Sequence, residues 1–369
     1  MMTVLSKYTK NRDNNFNLLR FIAASLVLYS HSFALVTGTG DAEPLRNSIG
    51  MTFGIISVDV FFITSGFLIA GSFFGRNNII AFVWARVLRI FPALIVAVAF
   101  CTFAIGLFFT TELASEYLSN KQTYRYFLKN ITLFFGVEYN LPGVFANTPH
   151  KYAVNGSIWT LPYEVEMYAY LAIIGSILIY FQKWFNNNHL KAIFLCIAII
   201  AVSANIVNHF QPFINDKFIR LFSLFFTGTA FYIWRDNIYL SLKLFLLLII
   251  TLSFSIIEKE VFFVIYSISI AYLIFYIAYV PAGIIRNFNK AGDYSYGIYI
   301  YAYPVQQSIA ALIPNVSTPV MIALSFFITF ILSFLSWHLI EKKALKMKNR
   351  YVVFEKLLKN RRLTRKSQL

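Results

Sequence analysis

The residues best suited to chemistry in this sequence are Arg20 and His31, which both lie in one long apolar segment, residues 16–36. An ionisable side chain inside a membrane helix is energetically costly, so it commonly faces protein or water and marks a functional position. The eleven positions between them correspond to about 16 Å along a helix and return to nearly the same face. We therefore predict that this segment forms one wall of a polar path through a membrane. In the structural alternative, Arg20 extends to the lipid headgroups and neighbours hydrogen-bond His31.

Two carboxylates are predicted to lie at the depth of His31. Asp59 and Glu164 are each about seven residues inside the outer ends of two further apolar segments, which places them about 10 Å deep, close to the roughly 9 Å of His31. A histidine oriented by a carboxylate can act as the general base that takes a proton from a hydroxyl. His31, Glu164 and Asp59 are therefore our candidate catalytic residues. Alternatively, Asp59 could pair with an arginine, and the helix dipole could favour Glu164 near a helix start.

A second group of charges is basic and is expected at the cytoplasmic edge. Arg86 and Arg89 are three positions apart, just before a third span predicted from about residue 90, and would be neighbours on one helix face. Guanidinium groups bind phosphate oxygens with fork-shaped donors. With Arg20 buried above the same edge, these residues predict an anion pocket. The alternative is the ordinary excess of basic residues in cytoplasmic loops.

Composition determines the fold class to be expected around these residues. The chain has 369 residues, of which 58% are hydrophobic and only 13% are charged. Apolar segments long enough to cross a bilayer recur throughout, so we predict an all-α polytopic membrane protein with about ten transmembrane helices. The predicted spans lie near residues 16–36, 52–74, 90–110, 159–181, 190–207, 218–235, 239–257, 261–281, 294–313 and 319–340. The segment 126–137 is too short to span and is predicted to be re-entrant or interfacial.

The basic residues are distributed as expected for a membrane protein with both termini in the cytoplasm. The net charge is +16, and Lys and Arg dominate the loops on one side, including those with Lys10, Arg12, Arg76 and Lys183. We predict a transmembrane domain over residues 1–340 and a basic cytoplasmic tail over 341–369 that lies on anionic lipid. Nucleic-acid binding is the weaker interpretation. Neither metal-ligand spacing nor a disulfide framework is indicated, because the two cysteines lie in separate apolar segments.

Several motifs, in order along nearly the whole chain, resemble the acyltransferase 3 family of integral membrane acyltransferases. The first three are NFNLLRFIAASLVLYSH with its Arg and His, VDVFFITSGFLI in the second span, and WARVLRIFP with the paired arginines. GSIWTLPYEVEMY matches a tryptophan-plus-glutamate motif and places its glutamate at Glu164. GDYSYGIYIYAYPV and SWHLIEKKALK resemble the closing segments.

The resemblance implies a bacterial inner-membrane O-acetyltransferase of surface polysaccharides such as O-antigen. The donor would be cytoplasmic acyl-CoA, usually acetyl-CoA, and the acceptor a polysaccharide or lipid-linked sugar reached from the periplasmic side. His31 would be the essential histidine, with Arg20, Arg86 and Arg89 at the donor end and Glu164 or Asp59 orienting the imidazole. Many members carry a histidine in the ninth helix where this chain has Ala302, so a role for a second histidine at that position is not expected.

Two other classes of function are compatible with the same residues. In a proton-coupled transporter or flippase, His31, Asp59 and Glu164 would form a proton relay. Such a protein does not need the arginines at the cytoplasmic edge, whereas an enzyme that uses CoA does. A non-catalytic membrane assembly factor would keep its function after His31→Ala.

Overall fold

We describe the protein from a computed structural model that covers residues 3–9, 13–75, 78–134, 136–181 and 187–350. Lys10, Arg12, Arg76 and Lys183, which contribute to the predicted orientation, lie outside these residues, as does the tail from residue 351 onwards. The predicted tail and the cytoplasmic placement of both termini therefore stay predictions.

Ten principal helices follow one another in the described residues. They are α1 Phe16–Thr37, α2 Phe53–Phe74, α3 Ile79–Phe109, α4 Thr160–Tyr180, α5 Asn187–Phe210, α6 Asp216–Ile233, α7 Leu242–Ser255, α8 Lys259–Tyr279, α9 Ser295–Leu312 and α10 Thr318–Ser336. Shorter helices are Leu5–Thr9, Gly40–Ala42, Arg46–Ile49, Ala114–Ser119, Lys121–Thr132, Ser157–Trp159, Ile284–Asn287, Phe288–Ala291, Trp337–Glu341, Lys342–Lys346 and Met347–Arg350. Two short strands, β1 Thr3–Val4 and β2 Tyr239–Leu240, pair antiparallel.

The all-α polytopic fold class is confirmed. A helix is found at each of the ten predicted positions, and within the described residues seven are long and apolar enough to cross a membrane. The other three are α6, α7 and α9. Helix α7 has 14 residues, α6 contains three charged residues near its start, and α9 contains two adjacent glutamines. The total of ten spans stays a prediction.

The third helix differs from the sequence-based expectation at its start. It begins at Ile79, where the Asn78 side chain accepts a hydrogen bond from the backbone N–H of Ala81, and it continues through Pro92 to Phe109. Arg86 and Arg89 therefore lie within the helix, not in a segment before it. The cause is the apolar run before the arginines: Ile79 and Ile80 are exposed on the outer surface of the helix, as expected for side chains facing lipid.

The segment between α3 and α4 contains three short helices, the second of which is amphipathic. Lys121–Thr132 buries Thr123, Tyr126 and Asn130 and exposes much of its other face. The helix ends at Thr132, inside the segment expected to be re-entrant or interfacial. The Asn130 side chain then holds the chain beyond it, because its Nδ2 donates to the Glu138 carbonyl and its Oδ1 accepts from the Glu138 N–H. Its position relative to a bilayer stays a prediction.

Helices α1 and α2 lie at the centre of the bundle. Helix α1 packs against α2, α9 and α10, while α2 also packs against α6 and α4. Glycines allow α2 and α6 to approach closely: a Cβ on Gly66 would lie 1.9 Å from the Phe225 carbonyl oxygen, and one on Gly228 would lie 2.1 Å from that of Ile63. This close contact fixes which face of α2 is turned towards α6 and which towards α1 and α4.

Candidate active site

A cavity lies among α1, α2, α4 and α9. Arg20 from α1 and Glu164 from α4 both line it, so the structure brings together two of the residues selected from the sequence. The remaining wall mixes hydroxyl groups with aromatic and aliphatic side chains: Val58, Phe61, Phe62, Ser65, Thr160, Leu161, Ser295, Tyr296 and Tyr299. A pocket of mostly apolar walls with a few polar groups is typical of a small-molecule site.

Glu164 is positioned by a tyrosine one turn further along α4. The Tyr168 hydroxyl donates a hydrogen bond to Glu164 Oε1 and lies 3.1 Å from Ser65 Oγ on α2. The guanidinium carbon of Arg86 lies 5.9 Å from the centre of the Tyr168 ring. Arg86 is therefore connected to the cavity through Tyr168, and the positive charge above the ring is within the range of a cation–π contact.

Arg20 and Arg89 meet at one aspartate. Arg89 Nη2 donates to Asp293 Oδ2 at 2.5 Å, and Arg20 Nη1 donates to the same oxygen at 3.4 Å. On its other side, Arg89 Nη1 lies 3.6 Å from Oε2 of Glu341, whose side chain is 2% exposed. Two guanidiniums and two carboxylates thus form an ion cluster that joins α1 and α3 to the chain before α9 and after α10.

The cluster keeps Asp293 ionised. Burial opposes ionisation of this carboxyl, but the charges on Arg89 and Arg20 and the hydrogen bonds from Ser295 outweigh burial and hold the pKa of Asp293 well below its usual range. Ser295 donates both its hydroxyl, at 2.5 Å, and its backbone N–H to Asp293 Oδ1. The Asp293 carboxylate therefore accepts a hydrogen bond from the first backbone N–H of α9 and also compensates the charge of the arginines.

Sequence reasoning missed Asp293, Glu341 and Tyr168 as site residues. All three lie inside motifs that carry the resemblance, namely GDYSYGIYIYAYPV, SWHLIEKKALK and GSIWTLPYEVEMY. For Asp293 and Glu341, the available signal was the presence of isolated acidic residues beside apolar segments. That signal does not identify Arg20 and Arg89 as their partners, because the pairs are separated by more than two hundred residues.

His31 lies beyond this cavity along α9. Its ring contacts Tyr303, with 5.3 Å between ring centres, and Tyr303 is one helical turn, about 6 Å, further along α9 than the cavity residue Tyr299. His31 Nδ1 is buried and has no hydrogen-bond partner among the described residues. Ala302 is also fully buried.

Asp59 occupies a different site from the one expected. Its carboxylate accepts hydrogen bonds from Arg220 Nε at 2.9 Å, from Arg220 Nη2 at 2.5 Å and from the Tyr266 hydroxyl at 2.8 Å. Within the described residues, neither Asp59 nor Glu164 forms an ion pair with His31. The physical reason is the orientation of α2, whose Val58 face is turned to the Glu164 cavity while Asp59 is turned to α6 and α8.

Comparison with known proteins shows the family of the chain. The profile of the acyltransferase 3 family, described as an acyltransferase domain, matches residues 13–338. The O-acetyl transferase of Shigella phage Sf6 is 29% identical over 357 residues, which cover 91% of this chain and 97% of that relative. Nodulation protein 10 of Rhizobium leguminosarum bv. viciae is 29% identical over 221 residues, 57% of each chain. No solved structure matches the chain.

The matched region includes every residue that lines the cavity, all six site residues selected from the sequence, and Asp293 of the ion cluster. Only Glu341 of the ion cluster lies beyond it. Together with the apolar helices, the match leads to one conclusion: the chain belongs to the acyltransferase 3 family and is a multi-pass membrane acyltransferase.

Proposed function

We propose that the protein is a membrane O-acetyltransferase that transfers an acetyl group from cytoplasmic acetyl-CoA to a hydroxyl of a surface polysaccharide or its lipid-linked precursor. Its location would be the bacterial inner membrane. The observation that carries the proposal is the arrangement along α1 and α9: Arg20 lines the cavity, and His31 lies about one helical turn of α9 beyond it. The similarity to the O-acetyl transferase of Shigella phage Sf6 supports the acetyl group and the oxygen acceptor.

The donor would bind at the end of the path that carries the arginines. A guanidinium has five N–H donors, so the pairing of Arg20 with Asp293 does not exhaust its capacity for phosphate. Arg86 and Arg89, on the same face of α3, would supply further positive charge near the CoA phosphates. The mixed wall of the cavity suits the pantetheine arm, which carries amides on an otherwise apolar chain.

The reaction requires a base at the far end of the path. His31 would take the proton from the acceptor hydroxyl as its oxygen bonds to the thioester carbonyl carbon. The C–S bond then breaks, and the proton passes from the imidazolium to the departing CoA sulfur, so the products are an ester and the free thiol. Glu164 would contribute negative charge that balances the imidazolium formed during the transfer.

The transporter hypothesis is less well supported by the same geometry. A proton relay needs titratable groups in a continuous chain. The Asp59 carboxylate is fully buried and paired with Arg220 and Tyr266 on a different face of α2 from the Glu164 cavity. A chain from His31 through Asp59 to Glu164 is therefore not favoured by the contacts of the described residues.

The test compares wild type with His31→Ala at equal membrane levels, following radiolabel from acetyl-CoA into the envelope glycan of the host. His209→Ala is the matched control, because this histidine lies at the end of α5 and pairs with Glu260, away from the cavity. We expect label with wild type and His209→Ala and none with His31→Ala. Equal labelling by all three proteins would refute the assignment of His31, and no label with any of them would refute the proposed reaction.

A further inference from the structure

A second histidine lies against the same tyrosine as His31. The His150 ring contacts the Tyr303 ring with 6.4 Å between centres and an angle of 70° between the planes. For His31, the corresponding values are 5.3 Å and 80°. Both imidazoles thus meet the Tyr303 ring edge to face. His150 belongs to the loop between α3 and α4, so its position could not be read from helical spacing.

Two adjacent glutamines of α9 hold the backbones that carry these histidines. Gln306 Nε2 donates to the Leu28 carbonyl at 2.8 Å and to Ser32 Oγ at 2.7 Å, on the two sides of His31 along α1. Gln307 Nε2 donates to the carbonyl of His150 at 2.7 Å and to that of Ala153 at 2.8 Å. Both glutamines are fully buried. One turn of α9 therefore fixes α1 and the loop relative to each other.

The loop is also held at the end of α1. Gly38 has φ of +82°, and a Cβ at this position would lie 2.9 Å from the Pro149 carbonyl oxygen. The Thr148 hydroxyl lies 3.1 Å from the His150 carbonyl oxygen, to which it donates. The His150 side chain itself is only half-buried. Two side chains thus hold the His150 carbonyl and the neighbouring Pro149 lies against Gly38, while the His150 side chain stays partly accessible.

We propose that the acceptor saccharide binds at Tyr303 with its reacting hydroxyl between His31 and His150, and that the His150 imidazole binds this acceptor by a hydrogen bond. The proposal rests on the proposed function and adds the acceptor site to it. A buried polar atom normally has a partner, and His31 Nδ1 has none among the described residues. A sugar hydroxyl bound between the two rings would supply that partner.

The two histidines then have different tasks in one balanced step. His31 takes the hydroxyl proton, the acceptor oxygen forms the ester bond to the acyl carbon, and the C–S bond breaks as the proton is passed on to the sulfur. His150 holds the saccharide and neither gains nor loses a proton overall. Loss of His150 should therefore weaken acceptor binding and leave donor binding intact.

The test uses the full-length protein in detergent, with radiolabelled acetyl-CoA and a concentration series of the host's extracted envelope glycan. We expect His150→Ala to raise the acceptor KM about tenfold, the value of one lost hydrogen bond of ordinary strength, and to leave the acetyl-CoA KM within about twofold of wild type. His150→Gln should recover part of the loss, because its amide can still donate and accept. His209→Ala, a histidine outside both sites, should match wild type.

An unchanged acceptor KM for His150→Ala would refute the acceptor site. An equal rise of both KM values in His150→Ala and His150→Gln would also refute it, because the residue would then act only on the fold. Should His150→Ala fail to give a monodisperse protein, the KM values of His150→Gln decide in the same way. Failure of the proposed function is distinguishable, since wild type itself would then transfer no label.

Discussion

The ion cluster at Asp293 provides the sharpest quantitative prediction. Asp293→Asn keeps the size of the side chain and an oxygen that can accept from Ser295, but it removes the charge shared by Arg89 and Arg20. The Arg89, Arg20 and Asp293 side chains are 13%, 23% and 12% exposed, so solvent screens the loss only in part. Removing one partner of a buried ion pair costs about 3–5 kcal/mol.

We expect the lower end of that range, about 3 kcal/mol, because Glu341 still compensates Arg89 at 3.6 Å. In a protein of this size, such a loss lowers the melting temperature by about 4 °C. The dependence on pH follows from the lowered pKa of Asp293. The stabilisation from ionised Asp293 is present above the unfolded-state pKa and is lost as the pH falls through the folded-state pKa. The difference in stability between wild type and Asp293→Asn should therefore be constant near neutrality and shrink only in acid.

The assay is thermal unfolding of the detergent-solubilised protein, followed by the fraction that stays monodisperse. Asp41→Asn, which removes an exposed carboxylate from the loop after α1, is the matched control and should leave the transition unchanged. Combining Asp293→Asn with Arg20→Met should restore part of the lost stability, because the double variant no longer buries that unpaired charge. A melting temperature equal to wild type for Asp293→Asn, or no recovery in the double variant, would show that the cluster does not stabilise the fold.

Three further predictions concern α2, α4 and α6. Gly228→Ala should lower thermal stability by about 1–3 kcal/mol, since its Cβ would meet the α2 backbone; an unchanged melting temperature would contradict the close helix contact. Asp59→Asn should lower thermal stability, because Arg220 loses its partner. The double variant Asp59→Asn with Arg220→Gln should regain part of that stability and should still transfer radiolabel from acetyl-CoA. A stable but inactive double variant would show that Asp59 is a catalytic residue. Tyr168→Phe should lower kcat about tenfold by releasing Glu164 from its hydrogen bond, with protein levels unchanged; a wild-type kcat would exclude a role for this bond.

The helices were largely predictable from the sequence, and the reason is physical. Apolar segments separated by charged loops have few alternatives in a membrane, where every backbone polar group must be bonded within its own helix. The start of α3 was misplaced because Arg86 and Arg89 interrupt hydropathy without interrupting the helix. Their guanidiniums are stabilised by Tyr168, Asp293 and Glu341, which only tertiary contacts supply.

The sequence by itself determined the fold class, the family resemblance and the presence of Arg20 and His31 on one helix, because these depend on hydropathy, motif order and helical period. Only the tertiary structure decided which charges meet. Asp59 and Glu164 have similar predicted depths, yet α2 turns Asp59 to Arg220 while α4 turns Glu164 to the Arg20 cavity. Likewise, His150 reaches Tyr303 through a loop held by Gln307. Rotation about a helix axis and the path of a loop are fixed by packing between distant segments, which local sequence patterns do not encode.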